Sequence, residues 1–262
     1  MKPSEGSAGT VRFEKRGPVA ILTLDRPGKL NALHGTMREQ LLAGIERAGA
    51  EPDVGCIVIT GAGGAFCAGG DLDTMWELRQ REDLQGFARL VELGMRVVRA
   101  LRASGKPSLA AISGAAAGAG LSLAAACDLR LAAGHAKLAA SFVKLGLHPD
   151  WGLTYFLPRL VGSGKAAELC LSGEPIDAAE ARRIGLVERV VPAAALEAES
   201  LELAGALAER EPLALELIRT ALAGSDPGAL DAALERERSA QLALFQSPGF
   251  RDRLAAVLQR RG

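Results

Sequence analysis

Two glycine-rich segments constrain this chain most: Phe66-Cys67-Ala68-Gly69-Gly70-Asp71-Leu72 and Gly114-Ala115-Ala116-Ala117-Gly118-Ala119-Gly120-Leu121. Each follows a short apolar run bounded by turn residues, Cys56 to Thr60 in the first case and Ser108 to Ile112 in the second, as buried strands do. Small residues after a strand leave main chain where side chains ordinarily sit, so a ligand can approach the backbone itself. Leu121 to Ala126 then reads as a helix, and the first N–H groups of a helix have no internal acceptor. Together the two segments can offer two free N–H groups to one oxygen atom, an arrangement that stabilises developing negative charge.

The running order around them is strand, helix, strand. Val11 to Leu24 alternates on both sides of Arg16-Gly17-Pro18 and reads as a hairpin, ended by Asp25-Arg26-Pro27-Gly28. Met37, Leu41, Leu42 and Ile45 recur at helical spacing within Thr36 to Ala50, and Glu51-Pro52-Asp53 closes that helix. Leu72 to Leu101 is a long helical tract broken near Asp83 to Gly86. Short strands follow at Arg130 to Ala133 and Lys137 to Ala140, then helices at Gly152 to Leu160 and Lys165 to Leu171. Such alternation specifies a parallel, layered α/β core. From about Ala193 the composition turns to Ala, Leu, Glu and Arg, and Glu211-Pro212, Asp226-Pro227-Gly228 and Ser247-Pro248-Gly249 divide it into helices. The expected organisation is a flexible tail over 1–10, a core over 11–192 and a helical region over 193–262. Leu213, Leu217, Ile218 and Leu222 form an apolar stripe that either the core or another subunit must cover.

Lys plus Arg and Asp plus Glu both number 31 and no long run of one sign exists, so neither nucleic acid nor a membrane surface is an expected partner. No apolar stretch approaches the roughly 18 residues of a membrane span. The polar start, Met1 to Thr10, has neither secretion nor transit character, and the expected location is cytoplasmic. Cys56, Cys67, Cys127 and Cys170 include no C-x-x-C pair, and His34, His135 and His148 are scattered. The expectation is therefore no metal, with the thiols buried and the histidines on loops or surface.

Gly162-Ser163-Gly164-Lys165 imitates a phosphate loop, but Ala166 follows the lysine and Arg159 holds the earlier glycine position. Gly120-Leu121-Ser122-Leu123-Ala124 imitates a nucleophile elbow without its last glycine, and His148 lies in the wrong place for a triad. Ser122 reads as a small helix-packing residue. Asp150, between Pro149 and Gly152, can face a pocket from its loop or, on residue type alone, cap the helix that begins near Gly152.

Further blocks carry a resemblance: Asp25-Arg26-Pro27 with Asn31-Ala32-Leu33, the two glycine segments, Lys106-Pro107, Ala126-Cys127-Asp128, Leu157 to Gly162, Leu171-Ser172-Gly173, and Ala178 to Ala181 with Gly185-Leu186-Val187. In this order, over nearly the whole chain, the sequence resembles the enoyl-CoA hydratase/isomerase family, the crotonase fold. The resemblance implies a spiral of ββα units with a C-terminal helical trimerisation region, and a trimer or dimer of trimers. It implies an acyl-CoA thioester as substrate, its carbonyl oxygen held by the N–H groups of Gly70 and Ala119. No cofactor is implied beyond the coenzyme A of the substrate. Lys29, Leu30, Ala68, Asp71 and Leu72 are carried over as CoA contacts, Lys29 one position later than the family's usual basic residue.

Family hydratases use two glutamates, and the matching positions here hold Ser122 and Phe142, neither able to carry a proton. Asp150 matches an acidic position of dienoyl-CoA isomerases and of ring-1,2-epoxyphenylacetyl-CoA isomerases, which also resemble this chain around Ala116 to Gly120 and Phe142 to Asp150. Moving a double bond needs one base that lifts a proton from one carbon and returns it to another. The expected function is thus an acyl-CoA isomerase with Asp150 as base. A 2-enoyl-CoA hydratase, a thioester hydrolase using Asp150 to activate water, and a catalytically inactive thioester-binding homologue stand as alternatives. Phe66, Ser122, Phe142 and Trp151 are expected around the acyl group, the aromatics raising Asp150 above the ordinary pKa of about 3.9; Phe66 equally reads as core.

Overall fold

The computed structural model describes residues 9–223 and 228–260. Met1 to Ala8 of the expected tail and Asp226-Pro227 of the expected helix break lie outside these residues. The strands are β1 Thr10–Arg16, β2 Val19–Asp25, β3 Cys56–Gly61, β4 Ser108–Ile112, β5 Ala116–Ala117, β6 Leu129–Ala133, β7 Lys137–Ala139, β8 Ile176–Asp177 and β9 Arg189–Val191. The helices are α1 Met37–Ala50, α2 Leu72–Gln80, α3 Leu84–Ala103, α4 Ala119–Ala126, α5 Leu153–Ser172, α6 Ala178–Arg183, α7 Leu196–Ala208, α8 Pro212–Leu222, α9 Gly228–Phe245 and α10 Pro248–Gln259. Thr10 thus belongs to the first strand rather than to a tail.

A six-stranded sheet runs in the order β1-β2-β3-β4-β6-β9 and is parallel except for the β1/β2 hairpin. A small second sheet has the order β5-β7-β8. The expected parallel, layered α/β core is the observed one. β3 and β4 are buried nearly throughout, which is why they read as unbroken apolar runs. Met37, Leu41, Ile45 and Ala48 of α1 are fully buried against one face of the large sheet. The other face, Ile21, Val58, Leu109, Ala111 and Leu131, is covered by α7 through Leu196 and Ala204. The helix pair expected at 152–160 and 165–171 is present as the two halves of α5, separated by non-helical backbone at Gly162.

The region after residue 193 is only in part an appendage. α7 closes the sheet, α9 lies on α3 and α5, and α10 on α2. Phe87 of α3 stacks on Phe245 of α9 at 4.1 Å, with Phe250 of α10 beside it at 5.5 Å from Phe245. α8 is different. It buries no residue, and Leu213, Leu217, Ile218 and Leu222 stand 54–82% exposed, while Arg219 ties the helix to Asp128 at 2.9 Å.

Candidate active site

Three irregular segments are laced together by main-chain hydrogen bonds. Cys67 N–H donates to Ala115 O at 2.9 Å and Ala117 N–H to Cys67 O at 2.9 Å, so the two glycine segments touch directly. On the other side Leu33 N–H donates to Gly69 O at 2.7 Å and Asp71 N–H to Leu33 O at 3.2 Å. A parallel bridge made by residues 69 and 71 turns the amide of the residue between them away from its partner. Gly70 N–H therefore points outward, and it has no acceptor among the described residues. Ala119 opens α4, and its N–H is likewise without an acceptor among the described residues. Both residues line one cavity of about 620 Å³, a size suited to a small-molecule site.

Gly120 is what lets the segments approach: a Cβ there would stand 2.1 Å from Cys67 O. Asn31 and Arg26 hold the outer segment. Asn31 Nδ2 donates to Ala62 O and Ala65 O, both at 2.8 Å, while its Oδ1 accepts from Arg26 N–H. Arg26 pairs with Asp71 at 2.6 Å, and both are buried. Asp71 also caps α2 by accepting from Thr74 N–H at 2.8 Å. Burial pushes the Asp71 carboxyl up, but the bonds from Arg26 and Thr74 outweigh it and hold the group at about 2. The Asp25-Arg26-Pro27 and Asn31-Ala32-Leu33 motifs are thus the fastenings of the segment that carries Gly70.

Across the cavity, the turn before α5 presents Asp150. Trp151 and Gly152 both have positive φ, 55° and 79°, a conformation that costs about 1 kcal/mol or more for a non-glycine residue. The turn is held from outside. The N-cap of α5 has no side-chain bond of its own. Instead Glu237 of α9 accepts from Gly152 N–H at 2.7 Å and from Thr154 N–H and Oγ1 at 2.9 and 2.5 Å. Asp150 is therefore not a helix cap. Its Oδ2 accepts from Gln241 Nε2 at 3.0 Å, and its Oδ1 is buried without a partner among the described residues. Burial, then the nearby charge of Glu237, pushes Asp150 up to about 7. Arg38, on α1, opposes this; its own guanidinium is buried, with a bond to Leu33 O at 3.1 Å. Burial also pushes Glu237 above the usual carboxylate range against its hydrogen bonds to Thr154 and Gly152.

The cavity lining brings together Gly70, Ala119, Asp150, Phe142 and Trp151, and with them Lys29, Leu30, Ala68, Asp71 and Leu72. Two expected pocket residues are elsewhere. Phe66, in the irregular segment after β3, is fully buried in the hydrophobic core, and Ser122 is fully buried with Oγ donating to Gly118 O at 3.3 Å. Neither lines the cavity. Asp71 has its carboxylate committed to Arg26 and α2, so only its main chain is left for a ligand, and Lys29 reaches Asp73 at 3.2 Å. Three lining or supporting residues escaped sequence reasoning: Arg38, Glu237 and Gln241. Their signal was a polar residue set in an otherwise apolar helical stripe, Arg38 beside Leu41, Leu42 and Ile45, and Glu237 and Gln241 between Leu234 and Phe245. No group of side chains able to hold a metal ion, and no helix long and apolar enough to cross a membrane, occurs among the described residues.

Two free main-chain amides on a layered α/β core, sharing one cavity with Asp150, the lining carboxyl that no cation pairs, are the features of a crotonase-type protein. The sequence matches the enoyl-CoA hydratase/isomerase family over residues 14–261, and the chain belongs to that family. It is 38% identical over 252 residues to a "Probable enoyl-CoA hydratase" of Rhodobacter capsulatus, covering 96% of each chain. It is 36% identical over 250 residues to the 1,2-epoxyphenylacetyl-CoA isomerase of Escherichia coli, covering 93% of each. The crystal structure of an enoyl-CoA hydratase from Bacillus halodurans superposes with a TM-score of 0.88 at 28% identity, covering 94% of this chain and 99% of that one.

Proposed function

We propose that this enzyme moves a double bond within an acyl-CoA thioester through an enolate, or rearranges an unsaturated or epoxy ring attached to one. The observation that carries the reading is a single proton-transfer group. Asp150, whose Oδ1 is buried without a partner among the described residues, lines the same cavity as the free Gly70 and Ala119 amides. The positions matched to hydratase glutamates hold Ser122, turned onto Gly118 O, and Phe142. In the proposed reaction the thioester oxygen accepts from both amides, and Asp150 Oδ1 removes a proton from a carbon next to the carbonyl or conjugated with it. Negative charge moves onto the thioester oxygen, where the two N–H groups hold it, and Asp150 returns the proton at the other end of the allyl system. No cofactor takes part. The test is incubation with 3-enoyl-CoA and 2-enoyl-CoA separately. The expected result is interconversion of the two; rapid hydration without a double-bond shift would overturn the reading in favour of a hydratase.

The base works only when ionised. With Asp150 at about 7 in the ligand-free protein, kcat/KM is expected to rise with pH on an acidic limb centred near that value, instead of the roughly 4 of an ordinary aspartate. A pH–kcat/KM profile flat down to pH 5 would contradict this.

We also propose that the protein assembles as a trimer or dimer of trimers, with a second copy covering the exposed stripe of α8. Light scattering is expected to give a multiple of three chains, reduced by Leu217→Glu with Leu222→Glu; an unchanged mass would place the contact elsewhere.

A further inference from the structure

Two buried polar residues one helical turn apart on α9 both act on the segment that carries Asp150. Gln241 donates to Asp150 Oδ2 at 3.0 Å. A carboxyl held by one oxygen has its plane and the direction of the other set, and that other oxygen, Oδ1, is buried without a partner among the described residues while Asp150 lines the cavity. Gln241 Oε1 has no partner among the described residues either, so the side chain is anchored to the protein's polar groups only through Asp150. Glu237 binds the main chain on the far side of the same turn, bridging Gly152 and Thr154. Both residues are 1% exposed. Burying a carboxyl and an amide where α9 meets α3 and α5 costs free energy that apolar side chains would not, so packing alone does not account for them.

We propose that Glu237 and Gln241 are positioning residues for Asp150 and that α9 is thereby part of the catalytic apparatus, Gln241 setting which carboxyl oxygen faces the acyl group and Glu237 fixing the turn beneath it. This rests on the reading of Asp150 as the base. The charged groups facing Asp150 are Glu237 from α9 and Arg38 from α1, with His148 acting on Glu237. The α9 residues push Asp150 in opposite directions. The negative charge of Glu237 favours the protonated form, while the hydrogen bond from Gln241 favours the carboxylate.

That opposition separates positioning from simple packing. The ligand-free protein, labelled with ¹³C at aspartate carboxyls, is titrated by NMR, the Asp150 signal being assigned by its loss in Asp150→Asn. Gln241→Met keeps the volume and removes the donor; the Asp150 midpoint is expected to move up, and kcat to fall about 10- to 100-fold at unchanged KM. Glu237→Gln is expected to move the midpoint down. Movement of both variants in the same direction, or none in Gln241→Met, overturns the proposal. If thermal melting shows Glu237→Gln to be unfolded, Gln241→Met decides alone by the same criterion. The titration needs no turnover, so a wild-type protein inert toward enoyl-CoA would defeat the isomerase reading without deciding this one.

Discussion

Asp150→Asn is expected to lower kcat for double-bond migration by about 10²- to 10⁴-fold while leaving CoA binding and the fold in place. Asparagine keeps the shape of the side chain and an oxygen for Gln241 to donate to, but it cannot take a proton. The same substitution should make the protein more stable at alkaline pH, for a reason that follows from the sign of the shift. Asp150 ionises at about 7 in the folded chain and near 3.9 in an unfolded one. Between those values the folded state binds more protons, so its stability falls as pH rises from about 4 to 7. Above pH 7 the buried carboxylate destabilises the fold by an amount on the order of a few kcal/mol, which asparagine removes. Melting temperatures of the two proteins should therefore coincide near pH 4 and diverge by pH 8, with Asp150→Asn the higher. A lower melting temperature at pH 8, or surviving turnover, would return Asp150 to a structural role.

Gly120→Ala is expected to reduce kcat by about 10²- to 10³-fold through the clamp rather than the base. The added methyl would meet Cys67 O at 2.1 Å, and that atom belongs to rigid main chain that also accepts from Ala117 N–H. Relief requires the Cys67 to Gly70 segment and the start of α4 to part, and with them the two donors that must converge on one oxygen. Overpacking of this kind also costs about 1–3 kcal/mol of stability. The acidic limb of the pH–rate profile should stay where it is, because Asp150, Glu237 and Arg38 are untouched. Loss of activity accompanied by a moved limb would mean that the clamp and the base are not separable in the way proposed.

How much was legible in the sequence depends on the kind of signal. The hairpin, the buried strands β3 and β4, and the breaks at Asp83 and Gly162 were readable because turn chemistry and apolar periodicity are local. The clamp was readable for a similar reason: runs of small residues after strands have few other uses. The residues that frame the base were not. Trp151 takes a left-handed backbone that no propensity assigns to tryptophan, and it is held there by Glu237, distant in sequence. Gln241 and Glu237 belong to a stretch that composition marks only as amphipathic helix, and their polarity in its inward stripe is meaningful only once α9 is known to lie over α5. Phe66 and Ser122 were misplaced for the converse reason. Both sit within motifs that touch the site, but Phe66, in irregular backbone after β3, packs into the core, and Ser122, on the buried helix α4, turns onto Gly118.

Deuterium transfer tests the central claim most directly, namely that an amide clamp holds an enolate while one carboxyl moves the proton. A 3-enoyl-CoA deuterated at the carbon next to the thioester is incubated with wild-type protein, Asp150→Asn and Gly120→Ala, and departure of deuterium from that carbon, to the other end of the allyl system or to water, is followed by NMR. The account predicts rapid departure with the wild type, near-complete loss of it in Asp150→Asn and strong slowing in Gly120→Ala. Departure at wild-type rate in Asp150→Asn would contradict it.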